Sequence, residues 1–287
     1  MRRLKEFIIE KLILLCGLTS IIVVLLIFIF LLKEGLALFT SIRLPAFLFG
    51  KNWYPISEPP QLGILPLILG SLVVTLGATV ISVPIGVACA VYISEVAPRA
   101  AKEVLKGGIE LLAAIPSVVI GFIGMVTLVP WVRALFHLPT GLTALTGAIM
   151  LAFMAMPTIV SIAEDALYSV PKSYREGAFA LGATHWQTIY RVLLPAASSG
   201  IMAAVMLGIG RVSGETMAVM MITGNSAVIP LSILQPVRTL TATIAAEMGE
   251  AVVGSEHYFA LFAIGIVLFV ISFAINVSAD IFLHRKR

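Results

Sequence analysis

Charged side chains are scarce in this sequence. Of its 287 residues 12% are charged and 60% apolar, with a mean hydropathy of +1.07, whereas soluble domains carry about 25% charged and 45–50% apolar residues. Too few polar groups remain to cover a water-facing exterior, which excludes a soluble single-domain enzyme and makes lipid the surrounding medium. Cysteine is nearly missing: Cys16 and Cys89 are the two there are, and both fall in apolar runs, where a packed thiol is the ordinary reading. The four histidines, His137, His185, His257 and His284, have no second ligand at useful spacing, so no metal site is expected. No G-x-x-x-x-G-K-[ST] string occurs, and the chain therefore does not bind ATP in that manner. No internal repeat, low-complexity tract or soluble domain interrupts it. The net charge of +4 gives no basic groove, because the Lys and Arg residues lie beside long apolar runs; nucleic acid is not an expected partner.

About 20 apolar residues cross a bilayer as a helix. Charge-free runs of that length predict an all-α membrane protein of six spans. The first is Leu12–Leu32, too long for the core of a cleaved signal and without a small-x-small site after it, hence a retained span. The others are Ile64–Ile93, Leu111–Val132, Leu142–Ile162, a fifth starting near Ala196 with charges inside it, and Tyr258–Ala279. With the N-terminus inside, the inner side receives Arg2, Arg3, Lys5, Lys11, Arg99, Lys102, Lys106, Lys172, Arg175, Arg191, Arg285, Lys286 and Arg287. The outer side receives only Lys33, Arg43, Lys51, Arg133 and Arg238, which places both termini in the cytoplasm. Pro116 and Pro130 are expected to kink the third span.

Two outer segments carry features of their own. Residues 34–62 hold Trp53, Tyr54, Pro55, Pro59 and Pro60 and read as a structured loop at headgroup level. Residues 224–256 contain Leu240, Ile244 and Met248 at helical spacing, one apolar face of a short helix that either docks an external partner or packs on the outer ends of the spans, packing being the favoured reading.

The inner loop between spans four and five, residues 164–195, is far more polar than its surroundings. Pro171 suits a helix start, and Ser173 with Glu176 has the form of a capping box, as do Thr184 and Gln187 beyond Gly182. Two short helices hinged at Gly182 and ended by Pro195 are predicted. The run Glu176-Gly177-Ala178, then three residues, Gly182, then nine residues, Val192-Leu193-Leu194-Pro195, resembles the EAA loop of the membrane subunits of bacterial ABC importers, with Gly177 in place of Ala and Val192 in place of Ile. The resemblance implies that Ser173, Glu176, Gly177, Ala178, Gly182, Leu194 and Pro195 belong to a helix seated in a cleft of a separate ATPase subunit.

In the fifth span Arg211 and Glu215 stand four residues apart, hence on one face of a continuous helix. A charge at the bilayer centre costs about 2.5–3.5 kcal/mol on insertion scales, so both should face protein or water. Two readings stand side by side: a structural ion pair at a helix end, or an anion site in which the guanidinium fork meets phosphate-like oxygens and Glu215 tempers its charge. GRVSGETMAV at 210–219, IELLAAIPSVVIGFIG at 109–124 and YISEVAPRA at 92–100 resemble the PstC-type permeases of bacterial phosphate importers, from about Gly63 onward. In that family this Arg and Glu recur. The sister PstA type shares the Gly-Glu-Thr run, but Met217-Ala218-Val219 and Gly63-Ile64-Leu65-Pro66 favour the PstC side.

The resemblance implies a type I (MetI-like) permease fold in a bacterial cytoplasmic membrane, with residues 1–62 as an added helix and outer loop and 63–287 as a five-helix core. It implies a second, PstA-type permease, two ATPase subunits that bind ATP and Mg, and an extracytoplasmic phosphate-binding protein. This chain itself would hold no cofactor and do no bond chemistry. A permease for another oxyanion (sulfate, molybdate, tungstate) fits the same motifs. An ion-coupled carrier would usually show two related halves, which are not seen here.

Overall fold

A computed structural model describes residues 2–284, and Arg285, Lys286 and Arg287, counted above on the inner side, lie outside the described residues. Five helical stretches are long and apolar enough to cross a membrane: Ile9–Thr40, Leu65–Val96, Ser117–Leu135, Ala144–Tyr168 and Glu256–Ser278. A sixth crossing is formed with Ser198–Ser213, which follows His185–Ala196 at a bend of 70°. The predicted six-span helical architecture is therefore present, with the fifth span bent.

In chain order the elements are α1 (Arg2–Ala37), α2 (Leu44–Phe49), a short antiparallel pair β1 (Trp53–Tyr54) and β2 (Gln61–Leu62), and α3 (Leu65–Val91). Then come α4 (Arg99–Ala114), α5 (Ser117–Ile123), α6 (Val129–Leu135) and α7 (Ala144–Tyr168). The inner loop supplies α8 (Lys172–Ala180), α9 (His185–Thr188) and α10 (Leu194–Ala196); α11 (Ser198–Ser213), α12 (Met217–Ile222), α13 (Leu240–Glu247) and α14 (Glu256–His284) complete the chain. Three π-helical turns, Tyr92–Val96, Gly124–Leu128 and Ile189–Leu193, join successive helices.

The centre of the fold is α7, which packs along α3 on one side and α11 on the other. Ile159 of α7 fits between two glycines: a Cβ at Gly86 of α3 would lie 2.9 Å from its Cγ2, and one at Gly208 of α11 would lie 2.5 Å from its Cγ1. With little hydrophobic drive between helices in lipid, such close approach is what holds membrane helices together. Val74, Ala78, Ala152 and Ala155 extend the same seam.

An inner cluster (Ala90, Ile93, Val160, Leu167, Ile189, Leu193) seals the cytoplasmic end. An outer cluster (Leu38, Phe47, Trp53, Leu67, Leu240, Leu261) seals the other. As expected, α13 packs inward: Leu240 is fully buried, with Ile244 and Met248 against the same cluster. Residues 34–62 are structured as expected, and Trp53 is enclosed by protein. It is 3% exposed, and its indole N–H donates to Glu247 at 3.1 Å, because a buried indole needs an acceptor and α13 supplies one. Tyr54 is exposed.

The third span differs from the sequence reading. Instead of one helix over Leu111–Val132, α4 ends at Ala114 and the crossing begins at Ser117. Pro116 disfavours the helical region for the residue before it, and Ile115 is extended (φ −68°, ψ 127°), so the proline breaks the helix where a kink was expected. Pro130 falls in the first turn of α6 just after the π turn. The helix α4 that Pro116 cuts off buries no residue completely and lies against the inner end of α7.

Replacing Gly208 by Val overfills the seam at Ile159 and should cost about 1–3 kcal/mol, read as a lower thermal midpoint of the detergent-solubilised protein. Gly177→Ala, whose added Cβ meets nothing within 4 Å, should leave the midpoint unchanged or raise it.

Candidate functional site

Two places concentrate polar groups in this apolar molecule. The first is the inner loop. Pro171, extended at φ −56° and ψ 141°, precedes the first turn of α8 at Lys172. That start moves Ser173 past the cap, so the Ser173–Glu176 box expected from the sequence does not form and no side chain caps α8. The second box does form: the Thr184 hydroxyl accepts the Gln187 N–H at 3.3 Å, and the Gln187 side chain accepts the Thr184 N–H at 2.8 Å. Between the two helices Gly182 adopts φ +78°, a conformation that side chains other than glycine's rarely take. Beyond α9 the chain runs through the π turn Ile189–Leu193 into α10, and the 70° bend follows Pro195 at Ala197.

On this loop Ser173, Glu176, Gly177, Gly182 and Pro195 are exposed, Leu194 is half-buried and Ala178 is buried. Around them Tyr174, Phe179, Leu181, Trp186 and Tyr190 stand open, Leu181 at 91% exposure. Large apolar side chains grouped on a polar loop outside the spans mark a surface that a protein partner or the membrane covers.

Two acidic residues that the sequence did not single out fasten this region. Glu95, on the π turn at the inner end of α3, accepts from Arg175 Nη2 at 2.6 Å and from Nε at 3.2 Å, while Arg175 Nη1 donates to the Val170 carbonyl at 3.3 Å. Glu164, 3% exposed near the end of α7, pairs with Lys102 at 2.8 Å and Lys106 at 2.9 Å and so ties α4 to α7. Its hydrogen bond to Glu164 holds the Lys106 pKa above the usual lysine value, against a smaller opposing effect of desolvation. A value raised in the folded state means that this contribution is complete at neutral pH and is lost only as pH rises through the raised value. Lys102 and Lys106, one helical turn apart on a basic amphipathic stretch, were the available signal for an acidic partner.

The second place is the end of α11. The helix stops at Ser213 with Gly214 behind it, so Arg211 and Glu215 do not share a continuous helical face as the spacing had predicted. Among the described residues they form no ion pair. Arg211 Nη1 donates instead to Thr158 Oγ1 of α7 at 3.1 Å and the side chain stays exposed. The Glu215 carboxylate accepts the Ala218 N–H at 3.3 Å at the start of α12, and its backbone carbonyl accepts the Thr241 hydroxyl at 2.9 Å. The interruption at 214–216 therefore separates the two charges: Glu215 is used in structure, and the guanidinium is presented outward.

The outer face also carries a cavity of about 540 Å³ beside Trp53, Arg238, Glu247 and His257. Glu247 gathers three of its polar groups, pairing with Arg238 and His257 and accepting the Trp53 N–H, while Arg238 Nε is buried without a hydrogen-bond partner. That network pins the β1–β2 hairpin to α13 and α14. No group of His, Cys, Asp and Glu that could hold a metal occurs among the described residues.

Residues 82–287 match the family described as "Binding-protein-dependent transport system inner membrane component". A relative in Bacillus subtilis (strain 168), a probable ABC transporter permease, is 45% identical over 90% of this chain and 84% of its own length. The phosphate transport system permease PstC of Mesorhizobium japonicum is 37% identical over 84% and 78% of the two chains, and that of Haemophilus influenzae 34% over 84% and 82%. Among solved structures, a chain of a bacterial alginate ABC transporter superposes with a TM-score of 0.68 at 17% identity, covering 96% of each chain. A chain of the inward-facing MetNI methionine ABC transporter superposes at 0.61 and 19%, covering 81% of this chain and 100% of that one. These structural likenesses carry the fold. The family match and the relatives above 30% identity carry more: the chain belongs to the inner-membrane components of binding-protein-dependent transport systems, as a multi-pass permease subunit.

Proposed function

We propose that this chain is the PstC-type permease of an ATP-driven phosphate importer and supplies half of its translocation pathway. The likeness over most of its length to permeases named for phosphate transport carries this reading. The chemistry at the end of α11 agrees with it, since an exposed guanidinium with a hydroxyl neighbour suits a tetrahedral oxyanion. In this reading a PstA-type permease supplies the other half, two ATPase subunits bind ATP and Mg, and an extracytoplasmic phosphate-binding protein delivers the anion. Residues 1–62 are an appendage to a core of 63–287.

Arg211 meets the anion in the pathway, and Glu215 holds the backbone break that presents it. Ser173, Glu176, Gly177, Ala178, Gly182, Leu194 and Pro195 form the seat of the ATPase. The short helices α8 and α9, set at a fixed angle by Gly182 and the Thr184–Gln187 box, pass displacement onward where a floppy connector would absorb it. The bend at Ala197 turns that displacement into tilting of α11 and alternate opening of the pathway to the two sides.

In vesicles holding the full complex, Arg211→Gln should lower phosphate uptake by about 10- to 100-fold, the scale of one hydrogen bond to a charged group, with assembly intact. Normal uptake would remove Arg211 from the pathway, and import of sulfate or molybdate in place of phosphate would reassign the substrate. Glu176→Lys and Gly182→Pro should each abolish the stimulation of ATP hydrolysis by loaded binding protein; proline requires φ near −65°, which the +78° of Gly182 forbids. Unchanged stimulation in both variants would count against the seat.

A further inference from the structure

The inner loop is fastened to the rest of the molecule in an uneven way. Through the chain α8 follows α7 and leads into α11, and it packs on α9 and on the π turn at 189–193. Its only completely buried residue is Ala178. What joins it to α3 is Arg175, reaching across 80 residues of sequence to Glu95. The pair is bidentate, and the Glu95 side chain is 7% exposed and that of Arg175 25%. Two parallel N–H···O bonds fix an angle as well as a distance, which a single contact does not. The third bond, from Arg175 Nη1 to the Val170 carbonyl, holds the guanidinium against its own helix start.

Glu95 sits on a π-helical turn, an element with one residue more per hydrogen-bonded ring than its neighbours and common at functional positions in helices. Directly after it Ala97 is extended and the chain leaves for α4. The α3 end is thus a terminus that a lateral pull can turn. From there α3 runs the width of the membrane along α7, locked at Gly86 against Ile159. A movement of α8 reaches α11 through the backbone, and reaches α3 through this ion pair.

We propose that Arg175 and Glu95 form a force-carrying clasp that makes the second span follow the ATPase seat, so that α3 and α11 turn together. Arg175 is a positioning residue in this scheme, acting through Glu95 and touching neither nucleotide nor anion. The inference rests on the assignment of α8 as the ATPase seat.

The test uses the assembled importer in vesicles, with inorganic phosphate as the probe, and reads the phosphate imported per ATP hydrolysed. Arg175→Gln and Glu95→Gln should each lower that ratio by a factor of about 2 to 30, the range over which single positions modulate coupling between sites, while the complex remains assembled. The exchanged pair, Arg175→Glu with Glu95→Arg, should recover it. A purely structural role would instead lower the yield of complex and leave the ratio of surviving complexes unchanged. Should the single variants fail to assemble, a Cys pair at 95 and 175, with Cys16 and Cys89 changed to Ser, takes their place. A short bifunctional thiol reagent should then raise the ratio and its reversal lower it again. A ratio that stays at the wild-type value in the single variants, or that neither the exchange nor the thiol bridge recovers, overturns the clasp. Cross-linking of Ser173→Cys to the ATPase subunit separates the two claims. A cross-link with normal ratios in the clasp variants sinks only the clasp, whereas no cross-link sinks the seat itself.

Discussion

A bilayer offers no hydrogen bonds, so each backbone amide inside it must find its partner within the protein. That single requirement shapes the fold. It forces the charge-free runs into helices and restricts irregular backbone to places where neighbouring elements take over the freed groups. The three π turns, the stop at Ile115 and the gap at 214–216 are such places. In the last, Glu215 and Thr241 supply what the interrupted ladder lacks, the first by accepting an amide and the second by donating to a carbonyl. The same rule explains why the functional candidates sit at breaks. At a helix end the main-chain groups freed from the ladder need partners, and polar residues such as Glu215 and Thr241 supply them.

Much of this was legible because the relevant signals are local. A run without charge is a span wherever it folds, and four of the five uninterrupted crossings contain nearly all of the run read for them from the sequence, the third excepted. Glycine after the apolar run of α8 and the Thr184–Gln187 spacing announced a turn and a restart, and both exist. Errors arose where one residue outweighed a periodic pattern. Pro116 divides what hydropathy reads as continuous, Gly214 ends the helix on which Arg211 and Glu215 would have faced the same way, and Pro171 moves the cap away from Ser173. Glu95 and Glu164 were passed over for a different reason. Their partners lie 80 and 58 residues away, and nothing in the neighbourhood of either acid shows what it meets after folding.

The charged residues that remain are distributed by depth. On the inner side they serve as ties between elements that share little apolar contact: α4 to α7 through Glu164, α8 to α3 through Glu95. On the outer side Glu247 gathers an indole, a guanidinium and an imidazole around one carboxylate and so fixes the hairpin, α13 and α14 to one another. Between these two belts the seam of Gly, Ala and Ile carries Arg211, bonded to Thr158, and the buried hydroxyl of Ser82. The molecule thus has ends tied by charge and a middle held by interlocked small residues, Ile159 against Gly86 and Gly208.

The first helix occupies a place apart from that seam. Its principal neighbour is α14, through Phe28 against Phe269, Phe30 against Phe262, and Gly35 and Gly265 opposite Ile266 and Leu31. During synthesis α1 enters the bilayer before α14 has been made, and it must therefore wait for that partner until α14 emerges from the ribosome. Closure of the outermost layer is a late event in biogenesis, and the core of α3, α7 and α11 is complete before it happens.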